Sequence, residues 1–272
     1  MRIAFLGDIV GRSGREAVIK ELPMLRAKLC LDQVIVNAEN ASHGFGLSPI
    51  IAQDLFRAGV DVITLGNHSW DRKDLITYIA QDPRIVRPIN YPIGTPGQGY
   101  HISFTKNEKK ILVINAMGRL YMDPLDDPFK MIETLLISYR LGETVDAVLI
   151  DIHAEASSEK MSLGYYLDGK VSAVIGTHTH VPTADYRILP LGTAYQTDAG
   201  MCGDYNSVIG MQKEAAINRF VTKMPGYRFQ PAEGSATICG LFIETDDVTG
   251  LAKRTFPIRF QGELDTFLPD IK

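Results

Sequence analysis

The most restrictive feature of this sequence is a set of polar residues that directly follow short apolar runs. Five runs with the pattern of β-strands end at carboxylate, amide or imidazole side chains, which are Gly7-Asp8, Glu39-Asn40, Asn67-His68, His153 and His178-Thr179-His180. In an α/β sheet the carboxyl ends of the strands form one edge, and ligands bind in the crevice there. Residues far apart along the chain are therefore expected to converge on one site.

Strand and helix patterns alternate in the first part of the chain. Residues 2–8 read as a buried strand, and apolar residues recur at helical spacing over 11–29. Ser48 and Pro49 provide an N-cap and a first-turn proline for a second helix, which Gly59 closes. Further helices are expected over 71–81, 128–141 and 214–222. Further strands are expected over 34–38, 60–65, 101–105, 111–115, 145–152, 171–175, 193–197, 237–245 and 252–261.

The order of these elements predicts the fold class. The opening strand–helix repeats imply parallel pairing, whereas the strands of the last third imply antiparallel pairing, so we expect an α/β protein with a mixed sheet or a two-sheet sandwich flanked by helices. A chain of 272 residues without a linker or internal repeat fits one domain. Residues 1–272 are therefore predicted to form a single domain.

Charge and cysteine usage exclude several classes of protein. The formal net charge is −4 and the basic residues form no run, which disfavours a long nucleic-acid track but allows a small anionic substrate if metals supply positive charge. The three cysteines are odd in number and lack a C-x-x-C spacing, which argues against a disulfide framework. No stretch has the length of a secretory signal or a spanning helix, so we expect a cytoplasmic protein without a membrane partner.

The polar clusters supply the ligand mixture of a hydrolytic site with two transition metals. Two metals about 3.5 to 4 Å apart can clamp the attacking and leaving oxygens of an in-line displacement, and a hydroxide between them is nucleophilic near neutral pH. Glu39 is the candidate bridging ligand because a carboxylate has two oxygens. The other ligands form two groups, which are Asp8, Asn40 and His180 at one metal and Asn67, His153 and His178 at the other. Oxygen donors beside imidazoles suit iron, manganese or zinc better than calcium.

Each of these residues also has a purely structural explanation. Asp8 could cap the following segment, Asn67 could occupy a left-handed turn, and His153 could be a hydrogen-bonded core histidine. The pair His178 and His180 is harder to explain in this way. Four of the six histidines lie at predicted strand ends, which a structural explanation leaves to coincidence. The set as a whole therefore favours a metal site.

Two further residues are candidates for contact with the substrate. His68 follows the proposed ligand Asn67, and an imidazole with a pKa of about 6.5 can protonate a departing alkoxide. The alternative for His68 is a third ligand to the second metal. Arg12 follows Asp8 in a glycine-rich turn and could approach a phosphate oxygen. The alternative for Arg12 is a solvated arginine at the start of a helix.

These motifs resemble the calcineurin-like metallophosphoesterases and, more narrowly, the bacterial YmdB phosphodiesterases. The stretches that carry the resemblance are 5–11, 37–41, 65–71, 124–129, 151–156 and 176–180. Gly66-Asn67-His68 alone marks the superfamily, whereas Glu39-Asn40 in place of the usual Gly-Asp pair is more specific. The superfamily's Asp-x-His opening is Asp8-Ile9-Val10 in this sequence. One usual histidine ligand is therefore missing, and Asn40 is its candidate replacement.

The resemblance implies a fold, a cofactor and a reaction. The implied fold is a calcineurin-like four-layer α/β/β/α sandwich with mixed sheets, and the implied cofactor is two transition metal ions per chain, iron foremost, with manganese or zinc as alternatives. The implied reaction is hydrolysis of small cyclic nucleotides, 2′,3′-cyclic mononucleotides such as 2′,3′-cAMP in particular. The metal ligands carried over by position are Asp8, Glu39, Asn40, Asn67, His153, His178 and His180, with His68 as the general acid.

Two other functions stay open at this point, a phosphomonoesterase such as a 5′-nucleotidase and a non-catalytic regulatory protein that binds a nucleotide. The loops at 41–46 and 118–128 are expected around the same sheet edge as the metals. Tyr165 and Tyr166 are candidates for a homo-oligomer contact or for a platform under a base.

Overall fold

The computed structural model describes residues 1–224, 226 and 228–271. The helices in this part of the chain are α1 Gly11–Lys28, α2 Pro49–Ala58, α3 Lys73–Tyr78, α4 Pro128–Leu136, α5 Ser157–Tyr166 and α6 Lys213–Thr222. The strands are β1 Arg2–Leu6, β2 Asp8–Ile9, β3 Gln33–Asn37, β4 Val62–Thr64, β5 Ile85–Val86, β6 Tyr100–Phe104, β7 Lys110–Met117, β8 Ala147–His153, β9 Ala173–Thr177, β10 Arg187–Ile188, β11 Ala194–Gln196, β12 Met201–Asp204, β13 Ala236–Thr245 and β14 Ala252–Phe260.

The strands form two mixed sheets. The first has the order β2-β12-β13-β1-β3-β4-β5, with β14 paired to β13, and the second has the order β10-β11-β9-β8-β7-β6. A parallel run, β1-β3-β4-β5, forms one side of the first sheet, and another, β11-β9-β8-β7, forms the centre of the second. Antiparallel pairs such as β13 with β14 and β6 with β7 complete them.

Alternation along the strands produces four layers. In β1, Ile3 and Phe5 pack toward the second sheet, in one core cluster with Leu149 of β8. Their neighbours Ala4 and Leu6 instead pack with apolar residues of α1, α2 and α3. Side chains of a strand alternate between its two faces, so one strand serves both layers. The opposite face of the second sheet packs against α4 and α5. The four-layer α/β/β/α arrangement with mixed sheets is therefore confirmed.

Most predicted elements are present, with specific differences. Helix α2 begins after Ser48, whose Oγ accepts from Ile51 N at 3.5 Å, and ends at Gly59, where φ is 109°. The hairpin of β6 and β7 is present as predicted. Helix α4 ends at Leu136, before the predicted limit of 141. Helix α5 and the short strands β5, β10 and β12 were not predicted, because their sequences are too short or lack a clear periodicity.

The topology brings the predicted strand ends to one edge of the molecule. Asn37 at the end of β3 is in register with Thr64 at the end of β4, and His153 at the end of β8 is in register with Thr177 at the end of β9. The residues that follow these strand ends are thus neighbours in space. Within the described residues, the structure contains no helix with the length and apolar character needed to cross a membrane.

Candidate metal centre

His153, the last residue of β8, lies at the centre of the polar cluster. Its Nε2 is 2.8 Å from Asn67 Oδ1, 3.0 Å from Glu39 Oε1 and 3.1 Å from His178 Nδ1. One ligand atom from each of Glu39, His153 and His178 lies within 4.8 Å of the others. The structure therefore brings together Glu39 and the three residues assigned by sequence to the second metal.

The residues assigned to the first metal lie beside this group. Asp8 Oδ1 is 3.8 Å from His180 Nε2 and 3.8 Å from His153 Nδ1. His180 Nδ1 is 2.8 Å from the carbonyl oxygen of Ile209. Because a carbonyl oxygen can only accept, Nδ1 of His180 donates this hydrogen bond, and Nε2 is the ring nitrogen that lies on the side of Asp8.

Two buried oxygens at this end have no donor. Asn40 uses its Nδ2 to donate to the carbonyl oxygen of Gly44 at 3.0 Å. Among the described residues, neither Asn40 Oδ1 nor Asp8 Oδ1 has a hydrogen-bond partner, although both atoms are buried. Buried acceptors without partners are costly, and such groups call for a missing ligand. A cation beside His180 would satisfy both oxygens, so the donor set fits a metal.

The charges of the cluster also indicate a need for positive charge. Burial disfavours the ionised form of Glu39, but His153 lowers the pKa of this carboxyl to about 2. Burial likewise opposes protonation of His153, but Glu39 and Asp8 raise the pKa of its imidazole to about 9. Burial and the neighbouring His153 lower the pKa of His178 to about 3. The positive charge of His153 offsets the negative charge of Glu39, so the buried carboxylates of the cluster favour cations at this point.

A buried hydrogen-bond chain orients His153. Its Nδ1 is 2.9 Å from Thr177 Oγ1, and Thr177 Oγ1 donates to Asp151 Oδ1 at 2.6 Å. Since the threonine proton goes to the carboxylate, Thr177 accepts from Nδ1–H. The other ring nitrogen, Nε2, then faces Glu39 and Asn67. Partners of this kind fix the tautomer and the ring orientation of a ligand histidine.

A second buried carboxylate holds the loop that carries two of the imidazoles. Asp198 Oδ2 accepts from the N–H of Thr179 at 3.1 Å, from its Oγ1 at 2.7 Å and from Lys160 Nζ at 2.9 Å. Lys160 and Asp198 are both fully buried. Thr179 separates His178 and His180, whose φ angles of 94° and 64° lie in the left-handed region. Asp198 therefore fixes a backbone shape that histidines rarely adopt.

Neither member of this ion pair was singled out from the sequence. A usable signal was present for Asp198, because it directly follows the predicted strand 193–197, as the other polar clusters follow theirs. No comparable signal marked Lys160, which lies on the unpredicted helix α5.

His68 lies between the cluster and an open cavity of about 440 Å³. Its backbone N–H donates to Glu39 Oε2 at 2.8 Å, and its Nδ1 is 2.8 Å from Asp71 Oδ2. Its ring meets the Phe45 ring edge-on, with centroids 5.1 Å apart. A Cβ at Gly66 would collide with the Glu39 carboxylate and the His153 ring, so only glycine allows this close approach.

Arg12 and the loops 41–46 and 118–128 were the other predicted candidates for contact with the substrate. Arg12 is exposed, its Nε donates to Glu16 Oε1 at 2.6 Å, and it does not line the cavity beside His68, which favours the alternative of a solvated arginine. Phe45 of the loop 41–46 lines the cavity beside His68, as expected. The loop 118–128 adjoins the end of β8, where Gly118 N donates to His153 O at 3.0 Å, but it does not line this cavity.

Comparisons with known proteins were made for the whole chain. A family model described as "YmdB-like protein" matches residues 4–258. The 2′,3′-cyclic-nucleotide 2′-phosphodiesterase of Bacillus subtilis (strain 168) is 49% identical over 250 residues, which cover 92% of this chain and 93% of that protein.

Two crystal structures have the same fold. A hypothetical protein from Thermus thermophilus matches with a TM-score of 0.89 and 43% identity, over 97% of this chain and all of that one (100%). A novel phosphatase from Mycoplasma pneumoniae matches with a TM-score of 0.89 and 38% identity, over 96% of this chain and 93% of that one.

The Lys160–Asp198 pair leads to a prediction about metal affinity. Lys160→Met would leave the Asp198 carboxylate buried without its cation, and we expect a loss of about 3 kcal/mol in the free energy of unfolding. Because Asp198 positions the loop between His178 and His180, metal affinity at a temperature where the variant is folded should fall by about 10- to 100-fold.

The measurements are denaturant unfolding and metal titration of the folded protein. Lys130→Met, which removes an exposed lysine of α4, is the matched control and should change neither quantity. An unchanged metal affinity in the folded Lys160→Met protein would show that the pair supports the fold but does not position the site.

Proposed function

The chain belongs to the YmdB-like family, and we propose that it is a metal-dependent phosphodiesterase that hydrolyses small 2′,3′-cyclic nucleotides. Family membership confirms the resemblance that the motifs indicate. The observation that carries the proposal is the convergence of Glu39, Asn67 and His178 on Nε2 of His153. The B. subtilis relative, which bears this activity in its name, supports the choice of substrate.

We assign the metal ligands to two groups that share Glu39. Asp8, Asn40 and His180 would hold one ion, and Asn67, His153 and His178 the other. Bound transition metals would supply positive charge to the phosphate and lower the pKa of a water molecule. The donors are oxygens and imidazole nitrogens, which suits iron first and manganese or zinc as alternatives.

His68 is the proposed general acid. Asp71 accepts a hydrogen bond from Nδ1–H of His68, which holds the ring in place. Nε2 is then the nitrogen that can exchange a proton with the substrate. His68 lines the cavity together with Glu39, Asn40 and His180, so the substrate can reach it. In the proposed reaction His68 gives a proton to the departing 2′-oxygen.

The same cavity has an apolar lining that suits a nucleobase. Phe45, Ile209, Met211 and Phe229 belong to this lining. The volume of the cavity, about 440 Å³, lies within the usual range for small-molecule sites, which combine an apolar lining with a few polar groups. The polar groups of the lining would hold the cyclic phosphate, and the apolar side chains would contact the base.

Three other features of the protein are proposals of the same kind. We infer that residues 1–272 act as one domain and that the protein works in the cytoplasm, where its free cysteines stay reduced. A homo-oligomer is proposed through Tyr165 and Tyr166, which are 53% and 40% exposed.

A substrate comparison tests the proposed function. Hydrolysis of 2′,3′-cAMP should exceed that of 5′-AMP when both are assayed with the same metal. A clear preference for 5′-AMP would assign the chain as a nucleotidase. Turnover no faster than in buffer with metal would instead favour a regulatory protein that binds a nucleotide.

The acid role of His68 predicts a purely kinetic defect. His68→Ala should lower the catalytic rate by about 10²- to 10⁴-fold, the usual contribution of a positioned acid, while two metals per chain remain bound. The loss should be smaller for substrates with better leaving groups. His101→Ala, at a histidine of β6 outside the cluster, is the control. Loss of a metal from the His68 variant would make His68 a ligand.

The bridging role of Glu39 predicts a combined defect. Glu39→Gln keeps the shape but removes the charge shared by both sites, so metal content and turnover should fall together. Elemental analysis and rate measurements on the same preparation would show this. Glu16→Gln, at an exposed glutamate of α1, should leave both unchanged. Two metals per chain with near-normal turnover would exclude a bridging Glu39.

A further inference from the structure

A second cavity adjoins the one beside His68. Its volume is about 700 Å³, larger than the first, and Phe45 and Phe229 line both cavities. A mononucleotide with its phosphate at the metal ligands and its base against Phe45 and Phe229 would occupy the first cavity. The second cavity therefore has room for a part of the substrate that a mononucleotide does not possess.

Two guanidinium groups in the second cavity lack strong partners. Arg228 makes no hydrogen bond or ion pair with any residue that the structure describes. Arg72 Nε is 3.6 Å from Asp74 Oδ1, too far for a hydrogen bond, and is buried without a hydrogen-bond partner among the described residues. Arginine recognises phosphate through its planar set of donors.

Two acidic residues, Asp71 and Glu233, also line this cavity, but neither forms an ion pair with Arg72 or Arg228 among the described residues. Asp71 already accepts a hydrogen bond from His68, and Glu233 is exposed to solvent. Gln212 and Gln230, also in the lining, can donate to phosphate or pair with the edge of a base. The cavity thus combines cationic, amide and aromatic groups, which are the groups that bind one nucleotide unit.

We propose that the second cavity binds the nucleotide that precedes a terminal 2′,3′-cyclic phosphate. The preferred substrate is then a short oligonucleotide with a cyclic phosphate end, and this inference rests on the proposed function. The chain of such a substrate leaves the terminal nucleoside through its 5′-oxygen, and its next phosphodiester carries the single negative charge that Arg72 and Arg228 would meet. The net charge of −4 disfavours a longer nucleic-acid track.

The reaction is the same for a 2′,3′-cyclic mononucleotide and for an oligonucleotide that ends in a 2′,3′-cyclic phosphate. A water oxygen forms a bond to phosphorus, the bond from phosphorus to the 2′-oxygen breaks, and that oxygen receives a proton. The second proton of the water is released, and the product ends in a 3′-phosphate. Cyclic phosphate ends of this type form when RNA is cleaved by attack of its own 2′-hydroxyl. A transesterification of that class would therefore supply the substrate.

The test compares kcat/KM for 2′,3′-cAMP with kcat/KM for the adenylyl dinucleotide that ends in a 2′,3′-cyclic phosphate, using the full chain loaded with metal. At low salt the dinucleotide should be preferred by roughly fivefold, the effect of one partly solvated ion pair, and added salt should reduce the preference.

Variants separate this proposal from a general effect of charge. Arg228→Ala should abolish the preference for the dinucleotide and leave kcat/KM for 2′,3′-cAMP unchanged. Arg57→Ala removes the same charge from the exposed surface of α2, where Arg57 pairs with Asp54, and should keep the preference.

The outcomes of this experiment are distinguishable. Equal kcat/KM for the two substrates, or a preference that persists in Arg228→Ala, would overturn the inference while the proposed function stands. Turnover of neither substrate would overturn the proposed function and the inference together.

Discussion

The structure depends on one buried carboxylate that joins the two sheets beneath the proposed metal ligands. Asp151 of β8 accepts from Asn37 Nδ2 at 3.0 Å and from Thr64 Oγ1 at 2.6 Å, both in the first sheet, and from Thr177 in its own sheet. Burial raises the pKa of Asp151 to about 6, so these donors are needed to hold the charge. The same partners reach the cluster, since Asn37 Oδ1 accepts from Glu39 N and Thr177 meets His153.

This bridge explains how the ligand types are divided between the sheets. The segments of the first sheet provide the oxygen donors Asp8, Glu39, Asn40 and Asn67, and those of the second provide the imidazoles of His153, His178 and His180. Bound metals would therefore connect the two sheets at one edge. The apolar cluster between the sheets, which includes Phe5 and Leu149, already holds them together. In a chain of this length we expect the fold to be stable without the metals.

The sequence predicted the features that depend on local patterns and missed those that depend on tertiary contacts. Polar residues after apolar runs located the cluster, and Ser48 with Gly59 located the ends of α2. Helix α5 was not predicted because its residues show no apolar stripe and because it buries Lys160, a residue type that is normally exposed. Only the carboxylate of Asp198, from a distant segment, makes that burial favourable. For Arg12, the ion pair with Glu16 on the next helical turn favours the alternative of a solvated arginine.

The residues proposed to carry out hydrolysis and the residues proposed to recognise the base come from different parts of the fold. The proposed metal ligands lie at strand ends held by Asp151 and Asp198, whose hydrogen bonds leave little freedom. The apolar lining of the cavity comes from the loop with Phe45, from the segment around Ile209 and from α6, where Phe220 is 70% exposed. Loops on a rigid scaffold tolerate substitution better than buried strand ends. Changes in this lining can therefore alter which nucleotide binds, while the proposed hydrolytic groups keep their geometry.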